Sequence, residues 1–297
     1  FKNILNKKEE EDFIYNLKNI NKIALIQQKK DLDLVKELVL RQEKIMNSNL
    51  YYIDKIYWLI EDCKKFGTLP FAGLARCGFI STEILNSFVN EKIISNNEKL
   101  KFLATIKTIT SEMSDDLKCQ NKKTFIEKYG HLRPGTYEIT SNNYKTNFNL
   151  YFGKTRENYK TKKKSFKFSP KQKAKIENFI KRTKIYNNFD ELINFIKNSI
   201  KYREFSKFIF SKSIDLIFEN LEKFGKKYGI KKKELSYLDI QKILGMYYNY
   251  SNLKSILSIK ENINQNQKEY NENLKINLPD IIVDGKDLFI QKSHKTK

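Results

Sequence analysis

The spacing of its apolar residues constrains this chain more than any other feature. Leu34, Val35, Leu38 and Val39 recur at i, i+1, i+4 and i+5 with charged residues between them, which puts one apolar stripe on a helix. The same period runs from Ile4 to Cys63 and predicts two or three helices there. It returns at about Ser169 and continues through Phe189 to Ile200, Tyr202 to Tyr228 and Tyr237 to Tyr247. Further helices are expected from Thr68 to about Asn90, from Asn97 to Met113 and from Lys122 to Lys128. Thr68 ahead of Pro70, and Ser169 ahead of Pro170, read as helix starts, because proline in a first turn gives up an N–H that would be unpaired anyway. No tandem repeat of fixed period is visible, which argues against a solenoid.

These signals predict an all-α fold, a multi-helix bundle with one structured Gly/Pro loop. That loop is Gly130 to Tyr144, where Gly130, Pro134, Gly135, Ser141 and two asparagines concentrate the turn chemistry. Four stretches follow: a first helical part (1–150), a basic connection (151–168), a second helical part (169–260) and a polar exit segment (261–297) leading towards another domain. The exit is Asn/Gln-rich over Asn262 to Asn277 and more extended over Leu278 to Val283. Within the first part, Ala72 to Gly78 is small for a helix. Glycine there costs about 1 kcal/mol against alanine, so close approach by another backbone or a ligand is expected to offset it.

Charge needs care. The formal net charge is +22, yet only six of the 57 basic residues are arginine (Arg41, Arg76, Arg133, Arg156, Arg182, Arg203). Lysine cannot make the bidentate contacts that sequence-specific nucleic-acid surfaces favour, so any binding to DNA or RNA is expected to be weak and sequence-indifferent. The Lys162-Lys163-Lys164 run reads as a solvated linker. No apolar stretch approaches the roughly 20 residues of a membrane span. Cys63, Cys77 and Cys119 are an odd number at wide spacing with only two histidines beside them, which fits a reducing cytoplasm and not structural zinc. No glycine-rich phosphate loop and no carboxylate cluster suited to magnesium is present in the sequence.

Two segments carry a resemblance. The first is Phe66-Gly67-Thr68-Leu69-Pro70-Phe71-Ala72-Gly73-Leu74-Ala75-Arg76, followed by Tyr129-Gly130-His131-Leu132-Arg133-Pro134-Gly135-Thr136-Tyr137-Glu138-Ile139. The second is Tyr202-Arg203-Glu204-Phe205-Ser206-Lys207-Phe208, leading into Gly225, Gly229 and Glu234-Leu235-Ser236-Tyr237-Leu238. Together they resemble the central helical region of the phosphoenolpyruvate synthase group, which includes rifampin phosphotransferase, over about residues 55 to 260. In that group an ATP-grasp domain phosphorylates a histidine on a swivelling domain, which carries the phosphoryl group to an acceptor. The resemblance implies that this chain is the acceptor-side helical segment. It implies that ATP and Mg serve the full-length enzyme, none being bound by this segment, and that the partners are the ATP-grasp and phosphohistidine domains and a small-molecule acceptor. Arginine stands one place later than in the family's loop, and Thr136 replaces its glutamate, so the acceptor's identity does not carry over. His294 lacks the context of a phosphocarrier histidine.

The acceptor-binding candidates are Arg76, His131, Arg133, Glu138, Arg203 and Glu204, with no catalytic residue and no metal ligand assigned. Each has a structural counterpart reading. His131 either binds an anion or holds the turn; Arg133 either clamps a phosphate or pairs with Glu138; Arg76 either meets a ligand or forms a buried ion pair. Arg203 and Glu204 are adjacent and so are expected to face different partners. Tyr51, Tyr52, Trp58, Tyr247 and Tyr248 are expected to be core.

Overall fold

A computed structural model describes residues 4–153, 165–248, 253–276, 279 and 281–286. Of the described residues 76% are helical, and no strand occurs among them. In chain order the helices are α1 (Lys7–Met46), α2 (Tyr52–Asp62), α3 (Leu69–Asn90), α4 (Asn96–Leu103), α5 (Ile109–Cys119), α6 (Lys122–Tyr129), α7 (Phe148–Phe152), α8 (Pro170–Thr183), α9 (Phe189–Tyr228), α10 (Lys232–Leu235), α11 (Ile240–Tyr248) and α12 (Leu253–Asn273). Among the described residues none is long and apolar enough to cross a membrane.

Three rods make the frame: α1, α9, and α2 with α3 joined by a π-helical turn over Cys63–Thr68. The buried positions of α1 are Ala24, Gln28, Asp31, Val35, Leu38, Gln42 and Ile45, alternating steps of four and three as in a coiled-coil seam. On α9 a buried serine recurs every seventh residue at Ser199, Ser206 and Ser213. Gln28 Nε2 donates to Ser199 Oγ at 2.8 Å and Gln42 Nε2 to Ser213 Oγ at 2.7 Å, so α1 and α9 run parallel. The α2–α3 rod runs against both, since Cys77 Sγ meets the Ala24 carbonyl while Arg41 pairs with Asp62 at 3.0 Å.

Pro70 explains the π turn. Proline inside a helix lacks its N–H and crowds the carbonyl four residues back, and a π turn just ahead of it relieves both. Leu69 N accordingly donates to the Lys64 carbonyl, five residues back. Thr68 has helical dihedrals and bonds the Lys64 carbonyl, so it is no cap, and the expected start at 68 is a continuation of α2. The Ser169 start holds, with a full capping box to Gln172. The helix expected over 97–113 is two, because Thr108 opens α5 with its own cap.

The small stretch of α3 is where the rods meet, and protein fills it. A methyl at Gly67 would sit 3.0 Å from Phe210 Cβ and 3.1 Å from Leu38 Cδ2. One at Gly73 would collide with the Asp31 carboxylate, and one at Gly78 would lie 3.1 Å from Arg203 Cδ. The expected ligand approach to this face is therefore replaced by side-chain packing.

Nor are the two helical parts separate bundles. α9 buries residues against α1, α2 and α3 at once, so residues 169–260 share the core of residues 1–150. Segment 261–297 begins as helix instead of an exit: α12 runs to Asn273, buries Ile256, Ile259 and Ile263, and bonds the Tyr237 carbonyl through Asn266 at 2.8 Å. In the connection, Tyr151 and Phe152 end α7, whereas 154–164 with Arg156 and the lysine run, Leu278, Asp280 and His294 lie outside the described residues.

Gly67→Ala is expected to lower stability by about 1–3 kcal/mol through overpacking against two fixed neighbours. Gly245, in α11 with nothing within 4 Å of its would-be Cβ, should behave oppositely. Gly245→Ala should raise stability by up to about 1 kcal/mol. Urea unfolding of the two variants checks both signs.

Candidate functional site

The loop after α6 is closed on itself. Tyr144 N donates to the Leu132 carbonyl at 2.8 Å, Lys145 N to the Gly130 carbonyl at 3.0 Å, and Gly135 N to Ser141 Oγ at 3.1 Å. It is clamped to α9 through Asp215. Arg133 Nη2 makes a short ion pair with the Asp215 carboxylate, to which Asn143 Nδ2 also donates at 3.0 Å. Arg133 Nη1 donates to the Ser141 carbonyl at 3.0 Å, and its guanidinium lies 4.9 Å from the centre of the Phe218 ring. Burial pushes the Asp215 carboxyl up from its ordinary range, opposed by Asn143 and Arg133. At 9% exposure, Arg133 has its fork committed inside the protein. Its partner is Asp215, not Glu138.

His131 is also engaged. Its Nε2 lies 3.1 Å from the Phe208 carbonyl on α9, and its ring meets the Phe208 ring at 4.7 Å. Desolvation, with Lys212 and Arg133 nearby, depresses its pKa to about 4 against the hydrogen bond's opposite pull, so the ring is neutral near pH 7 and Nε2–H donates to that carbonyl.

The remaining candidates do not gather around these two. Arg76 is exposed on α3 and acts on the buried Asp31 only through charge. Arg203 and Glu204, expected to face different partners, contact each other at 3.7 Å with Arg203 half exposed, and Arg203 lies 5.8 Å from the Phe79 ring centre. Glu138 accepts from Thr140 Oγ1 and lines a sizeable cavity.

That cavity is a groove of about 520 Å³ between the π turn, the loop, α9 and α10. Its walls are mostly apolar: Ile60 and Cys63 on one side, Ile214, Ile217, Phe218 and Leu221 along α9, and Leu235, Leu238 and Ile240 opposite. The polar atoms at its edge belong to Lys64, Thr68, Tyr137, Glu138 and Ser236. The Cys63 thiol is pushed up to about 11 by burial and is no nucleophile at neutral pH. Thr68 and, from the loop, Tyr137, Glu138 and Ile139 belong to the first resembling segment, and Leu235, Ser236 and Leu238 to the second. Sequence reasoning missed the α9 and α10 walls. The available signal was the heptad phase of α9, which puts Ile214, Ile217, Phe218 and Leu221 on one side of the helix.

Comparison with protein-family models, with curated proteins and with solved structures finds no match to this chain. Among the described residues no three His, Cys, Asp or Glu side chains are grouped so as to hold a metal ion.

Two predictions test the clamp. Asp215→Ala strands a buried guanidinium and is expected to cost about 3–5 kcal/mol, whereas Arg133→Met with Asp215→Leu should recover most of that. Chemical denaturation of the two variants measures it. For His131, the folded pKa of about 4 lies below the ordinary 6.5, so the unfolded chain takes up a proton that the fold refuses. Stability should be complete above pH 6.5 and fall as the pH drops towards 4, by up to roughly 3 kcal/mol. His131→Asn should flatten that slope in unfolding curves recorded across the window.

Proposed function

We propose that this chain is the acceptor-side helical segment of a phosphoenolpyruvate-synthase-like phosphotransferase, and that its acceptor sits in the groove beside Glu138. One observation carries the reading: residues from both segments that prompted the resemblance, Thr68 and Tyr137 to Ile139 from the first and Leu235, Ser236 and Leu238 from the second, line the same cavity. Apolar walls with a few polar groups at the rim suit an acceptor with an apolar body and a hydroxyl. Glu138, the only carboxylate of the lining, is placed to accept that hydroxyl's proton as its oxygen takes up the phosphoryl group. Arg133 and His131 act one step back: they hold the loop that presents Tyr137 and Glu138. ATP and magnesium, and the domains that use them, belong to the rest of such an enzyme. Three free thiols, two of them buried, suit a cytoplasmic setting.

The internal bonding of Arg133 and His131 favours a second reading, a spacer between catalytic domains with no ligand of its own. One experiment separates the two. In the polypeptide that carries this chain, Ile214→Trp should fill the groove and lower acceptor turnover at least about tenfold, leaving ATP-dependent labelling of the carrier histidine intact. Unchanged turnover would leave the spacer reading, and absence of any histidine labelling in the parent polypeptide would remove the phosphotransferase altogether.

A further inference from the structure

Of the five aromatic residues expected in the core, Tyr52 packs half-buried against it and Tyr247 is half-buried, but the other three are exposed. Tyr51 is 68% exposed, Tyr248 70% and Trp58 41%. They belong to a patch of six of the chain's 17 tyrosines and its single tryptophan: Tyr51, Tyr52 and Tyr228 about Lys227, and Tyr57, Tyr247 and Tyr248 beside Trp58. Contiguous exposed aromatic surface is unusual on a folded chain and marks binding. Here it surrounds a cavity of about 280 Å³ between the start of α2, the end of α9 and α11, walled by Tyr51, Tyr52, Tyr228 and Tyr247 with Lys227 and Asp54 among them.

The arrangement selects a ligand chemistry. The Lys227 ammonium lies 5.6, 5.7 and 5.4 Å from the ring centres of Tyr51, Tyr52 and Tyr228. Aromatic cages normally recognise a ligand's cation, but this cage already holds one, so what it offers a ligand is positive charge. Tyr247 is stacked on Tyr57 at 3.8 Å and 5°, which fixes the plane of that wall, and Tyr57 is tied to Tyr248 through their hydroxyls at 2.7 Å. Ring walls suit a planar body, Lys227 an anion, and the Asp54 carboxylate a hydrogen-bond donor such as an amine or a sugar hydroxyl. Free phosphate leaves the rings unused, and a wholly apolar molecule leaves Asp54 and the charge of Lys227, which only the neutral Tyr52 and Tyr228 hydroxyls engage, without a counterpart. A base, a ribose and a phosphate joined together satisfy every group.

We infer that this tyrosine pocket binds a single nucleotide unit, its base against the rings and its phosphate at Lys227. The site is separate from the groove and does not rest on the phosphotransferase reading. Trp58, with its ring centre 6.2 Å from that of Tyr247, is a built-in reporter. Titration of this chain with AMP, exciting at the red edge of tryptophan absorption, should give a saturable fluorescence change. Adenosine and ribose 5-phosphate should each bind at least about tenfold more weakly. Lys227→Ala should weaken AMP about tenfold and leave adenosine unchanged, and Tyr51→Ala, at an exposed position, should weaken AMP and adenosine alike. Hexa-adenylate distinguishes the source. Affinity equal to that of AMP supports a free mononucleotide, and affinity more than about tenfold greater, falling steeply with salt, supports the nucleotide of a strand. No response to either AMP or hexa-adenylate, or a response untouched by both substitutions, would overturn the inference.

Discussion

The structure depends on how closely the α2–α3 rod lies against α1 and α9. Three positions without a side chain, Gly67, Gly73 and Gly78, leave room for Phe210 and Leu38, for the Asp31 carboxylate and for the Arg203 stem. Of the atoms in contact, Phe210 Cβ is held by its own backbone and cannot yield to an added methyl at Gly67, whereas the Asp31 and Arg203 atoms lie further out on side chains that can turn. Both candidate sites are then placed by α9. It supplies Asp215 and the Phe208 carbonyl that hold the loop, the apolar wall of the groove, and Lys227 and Tyr228 at the tyrosine pocket.

The framework was legible where local chemistry decides it. Period, the proline position and the Ser169 cap located α3 and α8, and the turn residues of 130–144 marked a structured loop. What stayed hidden was every partnership across the chain. Arg133 and Asp215 are 82 residues apart and His131 and Phe208 are 77 apart, and nothing around Asp215 sets it off from other helical aspartates. The α1 seam was hard to see for a different reason: Gln28, Asp31 and Gln42 occupy buried positions that an apolar pattern skips. The tyrosines misled because helical spacing places a ring on a face without saying whether anything covers that face. The small residues of α3 did announce close approach, and only the identity of what approaches was beyond reach.

Polar groups in the middle of a helix seam cost desolvation unless paired. Gln28 Nε2 and Gln42 Nε2 are paired, the latter also donating to the Ile209 carbonyl at 3.0 Å, while Gln42 Oε1 is buried without a partner. Such buried polar contacts contribute less to stability than leucines of the same size would, but they penalise arrangements in which an amide faces a methyl group. Asp31, capped by Gln27 and lying over Gly73, belongs to the same set. Burial raises its pKa, against the pull of Gln27 and Arg76.

The serines of α9 recur every seven residues, so a slide of one heptad along α1 would still offer Gln28 a hydroxyl, at Ser206, and Gln42 an amide, at Asn220. By themselves the polar rungs would tolerate the wrong alignment. Of the glycines, Gly67 and Gly78 meet α9, at Phe210 and Arg203, while Gly73 meets Asp31 of α1. A seven-residue slide takes Arg203 off Gly78 and brings Ile196 or Phe210 to it, while Phe210 leaves its place at Gly67. Phe210 and Arg203 are themselves seven residues apart, so the shapes of the two side chains, and not a second spacing, tell one heptad from the next: the glycines are keyed slots that fix the register the rungs leave open.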